Sequence, residues 1–113
     1  MDNSIDDTLA ALADPTRRFI VEELRRGPRR AGELASASGL SAPAMSRHLR
    51  VLRRRGLVEG GGVETDARVR LYRLRPEPFS ALQRWLAEIQ RFWSGQLAAF
   101  KSHAERSRRG KRR

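Results

Sequence analysis

The run AGELASASGLSAPAMSRHLRVLRRRGL, residues 31–57, constrains this chain more than any other stretch, because it reads as two short helices joined by one tight turn. The first helix is expected over 31–37 with Leu34 and Ala35 turned inward, and Gly39 supplies the positive φ that a sharp inter-helix turn demands. Ser41 can cap the second helix by accepting from a free backbone N–H of its first turn, and Pro43 is tolerated there because its missing N–H would have had no partner. Along this second helix Met45, Leu49 and Leu52 recur at i, i+4 and i+7, one apolar stripe with the helical period.

The opposite face carries Ala42, Pro43, Ser46, Arg47 and Arg50. Small residues at the leading end allow close approach to base edges, Arg47 can grip guanine in bidentate fashion, and Ser46 can bond a base or a phosphate. This is the profile of a helix that lies in the major groove of DNA. Arg53, Arg54 and Arg55 close it, where cations suit the negative end of the helix dipole, with phosphate contact as the alternative role.

Charge supports that reading through its distribution. The net charge is +11, but residues 1–16 carry −4, 17–57 carry +8, 58–75 carry +1, 76–105 are neutral and 106–113 carry +6. A solvated surface intersperses its signs, so a positive excess gathered on the two-helix element and the tail favours a polyanionic partner, double-stranded DNA. A membrane surface is the other polyanion, and no basic helix here has a clean lipid-facing side. At 113 residues the chain is expected to form one domain. No stretch approaches a membrane-spanning run, the N-terminus MDNSIDD is acidic where a signal peptide is basic, and there is no cysteine. The expectation is a cytoplasmic, nucleoid-associated protein with no disulfide and no thiolate metal site.

Around the central element the chain reads as follows. Ile5, Leu9 and Leu12 form an apolar stripe on a first helix over 5–13, with Asp6 and Asp7 near its positive end. Asp14 and Pro15 start a second helix that runs to about residue 26, with Phe19, Ile20 and Leu24 on its core face and Gly27-Pro28 ending it. Residues 57–59 begin a strand, 60–67 form a glycine-rich hairpin loop, and 68–74 return. Val69 and Leu71 alternate with Arg68, Arg70 and Tyr72, so one face packs while Arg68 and Arg70 present guanidiniums to a DNA backbone or minor groove. The last helix is expected over 79–106, about 40 Å at about 1.5 Å per residue. Its Leu82, Leu86, Ile89, Trp93, Leu97 and Phe100 step by threes and fours, with Trp85 and Phe92 widening the stripe. This is more apolar surface than one small domain covers, and a homodimer interface shared with Ile5, Leu9 and Leu12 accounts for it. A ligand pocket lined by Trp85, Phe92 and Trp93 is the competing account.

The run ELASASGLSAPAMSRHLRVLRRRGLV, preceded by ALADPTRRFIVEEL and followed by RLYRL, resembles the ArsR/SmtB family of bacterial winged-helix repressors over residues 5–100. Ser46, His48, Leu49, Leu52, Gly56, Leu57 and Val58 match its SxHLxxLxxxGLV pattern, and ADPTR its upstream motif. The resemblance implies a mainly α fold with a two-stranded β wing, a winged helix-turn-helix in the order α-α-α-α-β-β-α, homodimeric through first and last helices. The domain then spans 1–105, with a basic disordered tail over 106–113. The family's best-known members sense metals, through cysteines in an ELCVCDL-like motif or through carboxylates and histidines on the last helix. This chain has Arg30-Ala31-Gly32-Glu33-Leu34-Ala35 at the first place and only His103 with Glu88 and Glu105 at the second, too few for a tetrahedral site. It looks like the metal-free branch, with an aromatic last helix carrying Trp85, Leu86, Arg91, Phe92 and Trp93. No metal or other cofactor is expected.

Two histidines, no cysteine and scattered carboxylates offer no nucleophile with a base, so no enzyme activity is expected. The expected function is sequence-specific regulation of transcription, as a homodimer on a pseudo-palindromic operator, through Ala42, Pro43, Ser46, Arg47, His48, Arg50, Arg54, Arg68 and Arg70. His48 is read as structural or DNA-proximal. The alternatives are a sequence-indifferent DNA-coating protein and a protein-interaction module that uses the aromatic helix.

Overall fold

The computed structural model describes residues 4–60 and 71–111. The elements run α1 (Ser4–Leu12), α2 (Pro15–Arg25), β1 (Arg29–Arg30), α3 (Ala31–Ser38), α4 (Ala42–Arg54), β2 (Val58–Gly60), β3 (Leu71–Leu74) and α5 (Pro76–Lys111). They fall into two compact units, Met1–Leu82 and Gln83–Arg113.

In the first unit, α1 and α2 meet at a joint that the side chains of the second helix close. Asp14 caps α2, its carboxylate accepting from the N–H of Thr16 at 2.8 Å and of Arg17 at 3.2 Å, and Pro15 takes the first helical position. The last carbonyls of a helix lack intrahelical donors. Here Arg17 donates through Nε to the Ala11 carbonyl at 2.7 Å and through Nη2 to Ala10 at 3.3 Å, while Arg18 donates to Leu12 at 2.7 Å. The inward face of α1 is Thr8 and Ala11, both fully buried, with Leu12 partly buried against the core. Leu9 points outward and Ile5 is half-buried. On α2, Ile20 and Leu24 are buried and Val21 packs beside them. Phe19, expected on that face, is half-buried and outside the core cluster. Gly27 follows the helix at φ 145, a positive value outside the left-handed helical region.

The two-helix element forms as the sequence predicts. Gly39 ends α3 at φ 76, ψ 9, and Ser41 caps α4 by accepting from the Ala44 N–H at 3.3 Å. Glu33 reaches back to accept from the Arg30 N–H at 3.0 Å, which secures the start of α3. Leu34, Met45, Leu49 and Leu52 are buried and join Ile20, Leu24, Leu57 and Val58 in one core.

The sheet corrects two expectations. It has three strands, not two, in the order β1-β3-β2, all antiparallel. Arg29 and Arg30, which follow Pro28 in extended conformation, pair with Tyr72 and Leu71. Two residues are too few to show a period of two, so this edge strand leaves no pattern in the sequence. The facing of the third strand is also reversed: Tyr72 is buried at 8 % exposure and Leu71 is exposed. Gly60 explains the reversal. It belongs to β2, opposite Tyr72, and a Cβ on it would stand 2.6 Å from Tyr72 Cε1, so the ring occupies the space that the missing side chain leaves. The remainder of the expected loop and returning strand, including Arg68, Val69 and Arg70, lies outside the described residues.

The last helix starts earlier and ends later than expected. Pro76 and Pro78 sit in its first turn, where no N–H is needed. It continues through Lys111, into the stretch read as a basic tail from Arg106; arginine and lysine are good helix formers and suit the C-terminal end of the dipole. Leu82 is half-buried, and Phe79 packs on the core of the first unit. In the second unit Leu86, Phe92, Trp93, Leu97 and Phe100 are exposed, Trp85 is 37 % exposed, and Ile89 is half-buried. Phe92 and Trp93 meet edge to face with centroids 6.4 Å apart. Among the described residues, no helix is long and apolar enough to cross a membrane.

Candidate nucleic-acid interface

Helix α4 presents three faces. Met45, Leu49 and Leu52 lock it to the core. Pro43, Arg47 and Arg50 stand on the opposite side, and they and Ala42, at the leading end, are all exposed. The two remaining flanks differ sharply.

On the flank toward the sheet, Ser46, Arg50, Arg53 and Arg54 follow one another at i, i+4, i+7 and i+8, and with Tyr72 they line an open cleft of ≈ 470 Å³. No hydrogen bond or ion pair from the described residues engages the side chains of Arg47, Arg50, Arg53 or Arg54. Ser46, Arg50 and Arg54 were expected at the interface. Arg53 was read as closing the helix, with phosphate contact as its alternative role. Tyr72 was not named there, because it was placed on the wrong side of its strand.

The other flank faces the joint of α1 and α2. His48 is half-buried there, near enough to Asp14 to act on its charge. Burial alone would raise the Asp14 carboxyl, but donation from the N–H groups of Arg17 and Thr16, and the charges of Arg17 and His48, hold it below the usual carboxylate range. Two turns on, Arg55 at the end of α4 binds Asp7 of α1 at 2.8 Å. Of the two roles read for His48, the geometry favours the structural one. Arg55 is tied to α1 instead of lying with Arg53 and Arg54. Arg68 and Arg70 lie outside the described residues.

A row of unengaged arginines on an exposed helix, with an apolar stripe behind it, suits a polyanion and offers no catalytic group. Among the described residues no three of His, Asp and Glu stand close enough to share a metal ion. Residues 14–60 match the family model described as bacterial regulatory protein, arsR family. The HTH-type transcriptional regulator Rv2034 of Mycobacterium tuberculosis is 41% identical over 97 residues, 86% of this chain and 85% of that protein. The chain belongs to the ArsR family.

Other ArsR relatives agree. The HTH-type transcriptional repressor SmtB of M. tuberculosis is 41% identical over 68 residues, 60% of this chain and 48% of its own length. The solved structure of an ArsR-like transcriptional regulator from Rhodococcus sp. RHA1 superposes with a TM-score of 0.75 at 34% identity, over 90% of this chain and 91% of that one. The fold is therefore the winged helix-turn-helix of ArsR regulators, and the chain is a transcriptional regulator of this family and not an enzyme. In this fold α3 and α4 are the helix-turn-helix, and α4 is its second, recognition helix.

Proposed function

We propose that the chain represses transcription in the cytoplasm by occupying a pseudo-palindromic operator as a homodimer, and that the operator overlaps its own promoter. The observation that carries this reading is the outward face of α4, where Arg47, Arg50, Arg53 and Arg54 stand exposed and without carboxylate partners. Ala42, Pro43 and Arg47 at the leading end read base edges, while Ser46, Arg50, Arg54, Arg68 and Arg70 meet the backbone. Dimerisation is supported by the apolar side chains left in water: Leu9 on α1, and six large residues from Trp85 to Phe100 on α5. Each is worth about 1.5–3 kcal/mol if fully buried, so a second copy of the same surface is a strong driving force. Ile5, Leu12, Leu82 and Ile89 are half-buried, Leu12 with part of its area already packed on the core of its own chain. Two recognition helices then enter successive major grooves about 34–36 Å apart, and the bound dimer blocks polymerase. The relative SmtB carries the name repressor, which agrees with this mechanism.

Footprinting on the DNA upstream of the protein's own coding region tests the proposal. The expected result is a protected palindromic site that survives an excess of random DNA of about a thousandfold. Uniform protection at all sequences would favour a DNA-coating protein and overturn the operator. Sedimentation of the purified chain is expected to give a dimer, and a monomer at all concentrations would overturn the two-helix geometry.

A further inference from the structure

We propose that the cleft beside α4 is a phosphate-binding site that takes closely spaced phosphate groups, those of one DNA strand or those of a free oligophosphate, so that a soluble oligophosphate competes with DNA. For the DNA arm this deepens the function proposed above and rests on it.

Ser46, Arg50, Arg53, Arg54 and Tyr72 line one open volume of ≈ 470 Å³. That volume lies within the roughly 300–1,000 Å³ of small-ligand sites. Its described lining contains no carboxylate, and none of its arginines is paired. Five other arginines of the first unit are engaged, Arg17 and Arg18 on carbonyls and Arg25, Arg55 and Arg75 on carboxylates, whereas Arg26, Arg29, Arg47 and Arg73 are exposed or half-buried without such a partner among the described residues. Like charges gathered without counter-charge repel one another, and an anion with several charges relieves that repulsion best. Ser46 to Arg54 spans about 12 Å at about 1.5 Å per residue. A DNA strand offers one charge about every 3.4 Å of axis, so the row can meet more than one phosphate. Phosphate contacts carry no base information, so Arg50, Arg53 and Arg54 form a clamp, distinct from the base-reading Arg47.

The test compares the native chain, the double variant Arg53→Gln/Arg54→Gln, and a control, Arg84→Gln/Arg91→Gln, that removes the same charge from exposed positions of α5. Two probes are used, a random-sequence duplex and sodium tripolyphosphate. In the cleft variant the duplex affinity is expected to fall about tenfold or more, and the slope of log affinity against log salt to flatten by about two. Preference for the footprinted site over the random duplex should hold. Calorimetry should show tripolyphosphate binding the native chain and the control alike, with at least tenfold loss in the cleft variant, and tripolyphosphate should displace the duplex. Equal loss in both variants would reduce the effect to general charge and overturn the site. A native chain that binds the duplex with a slope unchanged in the cleft variant would overturn the clamp and leave the regulator standing. Tripolyphosphate bound through these arginines by a chain that ignores duplex DNA would uphold the anion site and overturn the regulator.

Discussion

The two flanks of the recognition helix use the same residue type for opposite ends. Toward the joint of α1 and α2, arginine is a structural part: Arg17 and Arg18 complete the carbonyl end of α1, and Arg55 ties the end of α4 to Asp7. Toward the sheet, Arg50, Arg53 and Arg54 line a cleft and are bound to nothing among the described residues. The difference teaches that net charge misstates what a basic protein shows its partner. Part of the excess on residues 17–57 is consumed inside the fold, and four of the remaining arginines, Arg47, Arg50, Arg53 and Arg54, are gathered on the exposed part of one helix.

Breaking a joint arginine is therefore expected to cost stability, and breaking a cleft arginine to cost binding. Arg17→Ala carries the largest expected effect, because it strips two carbonyls of α1 of their donor and removes a side chain that is mostly buried. A loss of about 1.5–3 kcal/mol is expected in the urea midpoint, with the salt dependence of DNA binding unchanged. Arg53→Gln should do the reverse, leaving stability within about 0.5 kcal/mol while weakening every duplex. If the two variants behaved alike in both measurements, the division between flanks would be void.

Gly60→Ala tests the wall of the cleft from the strand side. The added Cβ would stand 2.6 Å from Tyr72 Cε1 and 2.8 Å from Cδ1, so the buried ring has to move. Overpacking of this kind costs about 1–3 kcal/mol, and the displaced ring should perturb the cleft and weaken DNA binding as well. A variant as stable as the parent would show that Tyr72 is free to swing away.

These sites also show where the sequence was legible. The turn and the recognition helix could be read because local chemistry is decisive there: a positive φ at Gly39, a hydroxyl cap at Ser41, and an apolar stripe of helical period from Met45 to Leu52. The facing of the last strand could not, because Leu71 and Leu74 have opposite parity in a strand. What decides it is the vacancy over Gly60, a contact between two strands. Asp14-Pro15 announced a helix start, but the work of Arg17 and Arg18 depends on long side chains folding back onto the preceding helix, which no periodicity records. On α1 the sequence stripe of Ile5, Leu9 and Leu12 does not mark the core face: Thr8 and Ala11 are the fully buried residues, and their small size lets the helix approach the core.

Asp14 lets pH separate the flanks. Its carboxyl is held below the usual range, so the charged form is bound more tightly in the folded state than in the unfolded one. The stability it contributes is complete above the unfolded pKa and is lost as pH falls through the lower, folded value. Asp14→Ala should cost about 1 kcal/mol near neutrality, and its urea midpoint should fall less steeply than the parent's between about pH 4 and the onset of acid unfolding. Parallel curves would mean that the cap does not depend on charge.

Asp7→Asn is expected to have the smallest effect on stability and bears most directly on the comparison. The pair with Arg55 is 2.8 Å long, but its side chains are 43% and 40% exposed, and exposed pairs of this kind contribute less than about 1 kcal/mol. The consequence for binding runs the other way. With Asp7 neutral, Arg55 is released at the end of the row that holds Arg53 and Arg54, and the flank that was structural begins to resemble the other. Affinity for random duplex DNA should rise by a few-fold at low salt, and that gain should vanish at high salt, where exposed charges are screened. A fall in affinity would instead mean that the tie to α1 positions α4 for binding, and that the two flanks act as one device.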